Sequence, residues 1–366
     1  MKVECIKEKL KKRVIQAERI AGKNLSLPIL NSILLIAEKD YLKIQSTNLD
    51  LGVEFIIPAK IKKEGRVAVP GSILSGILAG LFDSKNVTLE IVNENLVVST
   101  EKNTTLIKSY PVDDFPIIPQ VEEGSSVTIS AEKLVLGVKS VFYSSAISDI
   151  KPEISSVYIY YLNGRIVFVA TDSFRLAEKS VKKGDLVEFQ GVIVPVKNIN
   201  EVIKIFSDVV GDVKVSFDQN QITFSSDGIY VTSRIVNGSY PDYKQIIPKN
   251  FTTEATVLKE EIVNALKLTN IFADKFNKVN VKVDVEHKTL ELSAKSANIG
   301  ENMTSIEAKI EGDGFDRNFN YKYILDGFQS MSQDSIVLKY DSGKEVLIIK
   351  GVSDDSFVYL VKPMNK

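Results

Sequence analysis

One passage of this sequence is written three times at a fixed interval, which restricts the chain to folds that can be built from a tandem unit. Val69 to Thr100 reads VPGSILSGILAGLFDSKNVTLEIVNENLVVST. Ile73, Leu74, Ile77, Leu78, Leu81 and Phe82 recur at helical spacing, and Val87, Leu89 and Ile91 then alternate with polar residues as a half-buried strand does. The pattern returns at Val194 to Phe224, with Ile199, Val202, Ile203 and Phe206 on the helix and Val213, Val215 and Phe217 on the strand. A third copy runs from Phe319 to Ile349, with Leu325, Phe328 and Met331 on the helix and a hairpin of Ile336 to Tyr340 and Val346 to Ile349 around Asp341-Ser342-Gly343. Pro70, Pro195 and Asn320 hold the same place in each copy, 125 residues apart. A second echo agrees: Tyr110-Pro111 precedes Ile117-Ile118-Pro119, and Tyr240-Pro241 precedes Ile246-Ile247-Pro248. Repetition at domain length implies three copies of one fold, expected over residues 1–122, 127–248 and 252–366.

Residue usage removes whole classes of chemistry. Cys5 and His287 are the only residues of their kinds, so neither an intrachain disulfide nor a multi-cysteine zinc site can form. A Ser-His-Asp triad would have to use His287, which sits between two strand-like runs where a turn is expected. Gly71 and Gly76 do not make a phosphate loop, because Ile77 stands where the lysine belongs. The acidic pairs Asp113-Asp114 and Asp354-Asp355 have the chemistry to ligate Mg²⁺ or act as acid and base, and equally read as solvated turns. The N-terminus is too polar for a signal peptide, and no run reaches the roughly 18 apolar residues of a membrane span, so a cytoplasmic location is expected. The net charge of −1 argues against one continuous basic surface while permitting local segregation of charge.

In chain order, a helix starting near Lys7 carries Leu10, Val14 and Ala17 on one face and Lys9, Lys12, Gln16 and Arg19 on the other. That second face reads either as a solvated surface or as a stripe facing phosphates. Three strands follow, with turns at Glu38 to Asp40 and Thr47 to Asp50, and Thr104 to Tyr110 closes the unit with a strand placing Leu106 and Ile107 on a sheet edge. The second unit opens with a helix striped by Leu134, Val138 and Val141, then strands at Val157 to Tyr161 and Ile166 to Ala170 joined through Asn163-Gly164, a hairpin signal. Next comes Thr171-Asp172-Ser173-Phe174-Arg175-Leu176-Ala177, opposite Thr47-Asn48-Leu49-Asp50-Leu51-Gly52 in the first unit. The third unit has a helix with Ile262, Ala265 and Leu266, strands at Lys278 to Val285 and Thr289 to Ala294, and a last strand at Phe357 to Val361.

With three tandem units, the Thr171 to Ala177 segment, the Tyr240-Pro241-Asp242-Tyr243 block and a terminal Lys362-Pro363-Met364, the chain resembles the bacterial sliding clamps, the beta subunits of DNA polymerase III. The resemblance implies an α+β fold: three DNA-clamp domains, each with two helices on a curved antiparallel sheet, closing a six-domain ring as a head-to-tail dimer around duplex DNA. It implies sequence-independent attraction of phosphates to Lys9, Lys12 and Arg19, and secondarily to Lys139, Lys151, Lys197 and Lys204. It further implies a pocket that takes a short peptide from polymerases, the clamp loader and repair proteins. By position that pocket comprises Ile154, Thr171, Ser173, Phe174, Arg175, Leu176, Pro241, Gln245, Ile246, Asn320, Tyr323, Val346, Leu360, Pro363 and Met364. Leu106 and Ile107 are expected to meet Ile271 and Phe272 of a second chain. Phe174 and Gln245 stand where His and Arg are common in the family. Where the family touches single-stranded DNA, Asn24, Pro152 and Glu153 replace basic or aromatic residues, so that contact is not expected. No catalytic residue, metal or cofactor is implied. Two other readings stand beside this one: a metal-dependent hydrolase using the acidic turns, and a monomeric three-domain adaptor.

Overall fold

The computed structural model describes residues 1–22, 27–82, 84–121, 124–182, 189 and 191–365. Asn24, the expected boundary at Glu122 and the terminal Lys366 lie outside them. By contact the chain divides into two compact units, Met1–Leu134 with Lys197–Asn237, and Val135–Val196 with Gly238–Lys366. The helices are α1 (Lys7–Ile20), α2 (Gly71–Gly80), α3 (Ala131–Lys139), α4 (Val196–Phe206), α5 (Lys259–Asn270) and α6 (Tyr321–Phe328). No helix among the described residues is long and apolar enough to cross a membrane.

The first unit holds two antiparallel sheets. A five-stranded sheet runs in the order Lys60–Lys63, Lys2–Ile6, Asn86–Val92, Asn95–Ser99, Thr104–Ile107. In the eight-stranded sheet, Leu51–Pro58 of the first repeat pairs with Ile229–Arg234 of the second, Leu51 lying opposite Ser233 and Phe55 opposite Ile229. The second unit repeats the plan. Its nine-stranded sheet joins Arg175–Lys182 of the second repeat to Phe357–Val361 of the third, with Arg175 opposite Val361 and Leu176 opposite Leu360. A four-stranded sheet has Gly300–Glu307 at one edge. Consecutive repeats thus share a backbone ladder, and that ladder is why contact groups the chain in two although the sequence repeats three times.

The helices bury the apolar faces that their spacing predicts, with three corrections. Leu10, Val14, Ala17 and Ile20 of α1 are in the core, as are Ile199, Val202, Ile203 and Phe206 of α4 and Ile262, Ala265 and Leu266 of α5. In the second repeat Leu134, Val138 and Val141 are buried too. However, α2 stops at Gly80, so its stripe narrows to Leu74 and Leu78 with Leu81 beyond the end, while Ile73 and Phe82 face solvent. In α6 Phe328 is buried as expected and Met331 is buried just past the helix end, but the first inward residue is Ile324 rather than the half-buried Leu325, since residues four apart share a helix face. Gln16, expected on the solvated face of α1, is buried and accepts a 2.9 Å hydrogen bond from Nη1 of Arg13, whose guanidinium lies 5.0 Å from the Phe55 ring centre. Desolvation of the Arg13 cation by that burial lowers its pKa.

One device recurs at the start of each repeat. The first backbone N–H of α1, α3 and α5 donates across to the chain after the repeat's second helix: Lys7 to Lys85 O (3.0 Å), Ala131 to Gly211 O (2.9 Å), Lys259 to Asp334 O (2.8 Å). In the outer two repeats the side chain follows. Lys7 Nζ donates to Leu81 O at 2.6 Å and Lys259 Nζ to Met331 O at 2.5 Å, placing a cation against carbonyls just past α2 and α6. Cys5, buried in strand Lys2–Ile6, has its thiol pKa pushed up to about 12, first by burial.

Candidate functional site

All fifteen pocket candidates lie in the second unit, where three stretches of chain meet: the turn after strand Arg165–Thr171, the segment after Gly238, and the last strand with its tail. The turn is built by side chains bonding to their own backbone. Thr171 Oγ1 donates to Arg175 O (2.7 Å) and accepts from Ser173 N (3.1 Å), while Asp172 Oδ1 accepts from the N–H groups of Phe174 and Arg175, both at 2.9 Å. Ser173 takes φ of +77°, unusual for a residue other than glycine, which turns the chain so that Phe174 projects into solvent with 62% of its surface exposed. Its carbonyl accepts from Lys362 N at 2.8 Å, and Met364 N donates to Asn318 O at 2.7 Å, so the tail is held at these two residues.

Each guanidinium nitrogen of Arg175 has a partner within the protein. Nε donates to Asp172 Oδ2 (3.1 Å), Nη1 to Asp326 Oδ2 (2.6 Å) and Nη2 to Tyr143 O (2.6 Å), and the guanidinium lies 4.4 Å from the Tyr323 ring centre. Tyr323 O in turn accepts from the Tyr359 hydroxyl at 2.7 Å. α6 comes close enough for this because residue 327 is glycine: a Cβ there would stand 2.5 Å from the Tyr359 ring. Burial raises the pKa values of Tyr143, Tyr323 and Tyr359, leaving neutral hydrogen-bonding groups around the one cation.

The remaining candidates separate into a floor and a rim. Leu176, Val346 and Leu360 are buried in one cluster with Tyr160, Val167, Val169, Tyr243 and Ile348, so they are core residues beneath the site. Phe174, Pro241, Gln245 and Ile246 are exposed, and Ile154, Asn320, Tyr323, Pro363 and Met364 are half buried. Asn320 caps α6 by accepting from Lys322 N at 3.0 Å, and Gln245 Nε2 donates to Asp242 Oδ2 at 2.7 Å. Reasoning from sequence missed Tyr143, Tyr160, Tyr243, Glu178 and Asp326, each of which bonds a partner at the site that is distant in sequence. The one available signal was the repeated Tyr-Pro block that contains Tyr243.

The basic candidates are exposed wherever they fall. In the first unit, Lys9, Lys12 and Arg19 project from α1 and Lys197 and Lys204 from α4; Lys12 pairs with Asp208 at 3.2 Å and Lys204 with Glu201 at 2.6 Å. In the second, Lys139 ends α3 and Lys151 lies in the following loop. Of the edge pair, Leu106 is 52% exposed, whereas Ile107 is 3% exposed and faces its own sheet, since neighbours on a strand point opposite ways. Ile271 is exposed and Phe272 half buried beside Gly300, the first residue of the edge strand.

The acidic turns are engaged by local partners, with Asp113 and Asp355 in solvent as expected but the Asp354 carboxylate largely buried. Asp113 pairs with Arg66 at 2.8 Å, Asp355 with Lys350 at 3.1 Å, and Asp354 accepts from the Ser356 backbone and hydroxyl at 2.8 and 2.6 Å. His287 sits in a turn, its backbone N–H on Asp284 Oδ1 at 3.0 Å. Among the described residues no three His, Cys, Asp or Glu side chains gather as metal ligands do.

Family profiles match the chain in three consecutive blocks: the N-terminal domain of the DNA polymerase III beta subunit over residues 1–119, the central domain over 128–242 and the C-terminal domain over 244–365. A beta sliding clamp of Synechocystis sp. is 25% identical over 389 aligned positions, covering 100% of this chain and 99% of that protein. One from Staphylococcus aureus is 26% identical, covering 93% of this chain and 92% of its own. The crystal structure of the DNA polymerase sliding clamp from Bacillus subtilis superposes with a TM-score of 0.94 at 24% identity, covering 100% of this chain and 99% of that one.

Proposed function

The chain belongs to the DNA polymerase III beta subunit family, and from that membership we infer that it is a non-enzymatic processivity factor, a homodimeric sliding clamp on duplex DNA. The observation that carries this reading is the match of three family domains, in order, to three repeats. Neither alternative has comparable support: the acidic turns are occupied by local partners, and the adaptor reading has no counterpart among the relatives. The clamp works in the cytoplasm, where replication takes place in bacteria. Its hold on DNA is topological, so the exposed cations of α1 and α4 need only supply diffuse, salt-sensitive attraction. Lys139 and Lys151 contribute in the same way.

Polymerase, clamp loader and repair proteins dock through a short peptide laid over the rim formed by Phe174, Pro241, Ile246, Tyr323, Pro363 and Met364, above the apolar floor of Leu176, Val346 and Leu360. The many apolar and aromatic side chains beside a few polar groups support that role. Leu106 and Ile271, apolar and exposed, carry the contact between chains, with Phe272 beside them and Ile107 bracing the strand from behind. Sedimentation equilibrium over a wide concentration range tests the dimer. A mass near twice 40.6 kDa that persists on dilution is expected, together with retention on circular but not linear DNA. A single-chain mass throughout would overturn the closed ring.

A further inference from the structure

Three of the rim candidates, Pro241, Gln245 and Ile246, come from one short segment built around a single 3₁₀ turn, Tyr243–Gln245. A turn of this length has almost no ladder of its own. It has one N–H···O bond from Tyr243 to Pro241 O (2.7 Å) and one from Ile246 to Tyr243 O (3.0 Å). Within the turn itself, the side chain that ties it into the body of the protein is the buried Tyr243. The phenol of Tyr243 passes into the core cluster, donates to Glu178 Oε2 and meets the Tyr160 hydroxyl at 2.8 Å. Glu178 stands on the strand that carries Arg175 and Leu176, so the bond couples the segment to the opposite wall of the site. Around it, Tyr158 stacks on Tyr160 at 5.0 Å and on Tyr240 at 4.8 Å, and Lys344 Nζ donates from outside to the carbonyls of Gln245 and Ile247.

We infer that Tyr243, through its hydroxyl bond to Glu178, is a positioning residue that fixes the Pro241–Ile246 wall for a peptide with an apolar side chain lying against Ile246. This rests on the pocket reading above. Tyr243 is buried beneath the wall; its contribution is that the wall is ordered before the peptide arrives, so binding does not have to supply that ordering. Pinning from inside by a hydroxyl, rather than by packing alone, also sets the rotation of the turn.

The test uses the full-length dimer and a fluorescein-labelled peptide carrying the clamp-binding motif of the cognate replicative polymerase. Tyr243→Phe keeps the ring and removes the hydroxyl, and is expected to weaken the peptide about tenfold while the dimer mass holds and unfolding stays cooperative at a modestly lower temperature. In an Ile246→Ala background the same change should cost less than twofold, since the group being positioned has gone; in a Met364→Ala background the full tenfold should remain. Unchanged affinity of Tyr243→Phe, or an equal loss in both backgrounds, would overturn the inference and leave the pocket standing. Wild-type protein that binds no peptide would overturn both. Should Tyr243→Phe fail to give a folded dimer, Glu178→Met, which keeps the length of the side chain and removes the acceptor, goes through the same cycle under the same criteria.

Discussion

The turn Thr47 to Leu51 in the first unit and the turn Thr171 to Arg175 in the second are the same object in backbone and different objects in side chain. Thr47 Oγ1 donates to Leu51 O at 3.0 Å and accepts from Leu49 N at 3.0 Å, and Asn48 Oδ1 accepts from Asp50 N and Leu51 N at 3.0 and 2.8 Å. Each of these bonds has its partner in the second turn, and Leu49 at φ +78° matches Ser173 at +77°. Even the exits agree: Arg234 N donates to Asp50 O and Lys362 N to Phe174 O, both at 2.8 Å. What differs is the load. Where the second turn carries Phe174 and Arg175, the first carries Asp50 and Leu51; where Tyr323 stacks on the guanidinium, Asn198, 125 residues earlier, bonds Ser233 Oγ at 2.9 Å and Asp50 O at 3.3 Å. The turn therefore belongs to the fold, as the way a repeat hands its strand to the next repeat. In the proposed reading, peptide recognition belongs to one copy of it and rests on the side chains that differ.

The sharpest way to break this comparison is to truncate the residue closing each turn. Arg175→Ala leaves two carboxylates without their cation and frees the Tyr323 ring; it should cost about 3 kcal/mol by the rule for half-broken buried pairs and abolish measurable peptide binding. Leu51→Ala should cost a similar ~3 kcal/mol by cavity formation yet leave peptide affinity unchanged, read by calorimetry and fluorescence anisotropy on the same samples. A loss of peptide affinity in Leu51→Ala would mean that the turns are not separated by their side chains. Next in size is the capping residue. Asp172→Ala removes a charged acceptor from two N–H groups and from Arg175, worth about 2 kcal/mol, whereas Asn48→Ala removes a neutral one worth about 1 kcal/mol. Equal shifts in melting would show that the charge adds nothing. Smallest is the left-handed residue: Ser173→Gly should stabilise by up to about 1 kcal/mol through relief at positive φ, and Leu49→Gly by less, because part of an aliphatic side chain is lost. Chemical denaturation resolves the pair.

Much of the fold was legible because helices and strands leave local periods. The start of α1 at Lys7, the hairpin at Asn163-Gly164 with φ of +47° and +79°, and the last strand at Phe357 to Val361 all follow from spacing and turn chemistry. The ends of α2 and α6 were not legible, since apolar residues such as Phe82 continue past the last helical turn and mimic its stripe. Nor could a local pattern reveal that Leu51–Pro58 pairs with Ile229–Arg234, or Arg175–Lys182 with Phe357–Val361, because pairing over such separations leaves no period to read. At the site, the repeat located Thr171 to Ala177 and the family resemblance gave it meaning. The division into rim and floor needed coordinates, for an isoleucine at 37% exposure and a leucine at 2% look alike in sequence. Gln16 shows the same limit: a polar residue enters a core when a neighbour such as Arg13 supplies its hydrogen bond.

The place of the last strand, Phe357–Val361, has a consequence for how the protein comes into being. It lies inside the nine-stranded sheet, between Arg175–Lys182 and Val346–Gly351, and brings Leu360 with the tail that follows. A chain emerging from the ribosome exposes strand Arg175–Lys182 long before its neighbour exists, and that edge must wait for some 175 further residues. The proposed pocket is thus among the last parts of the molecule to be completed: a nascent chain displays the Phe174 turn before Leu360, Pro363 and Met364 exist to lie beside it.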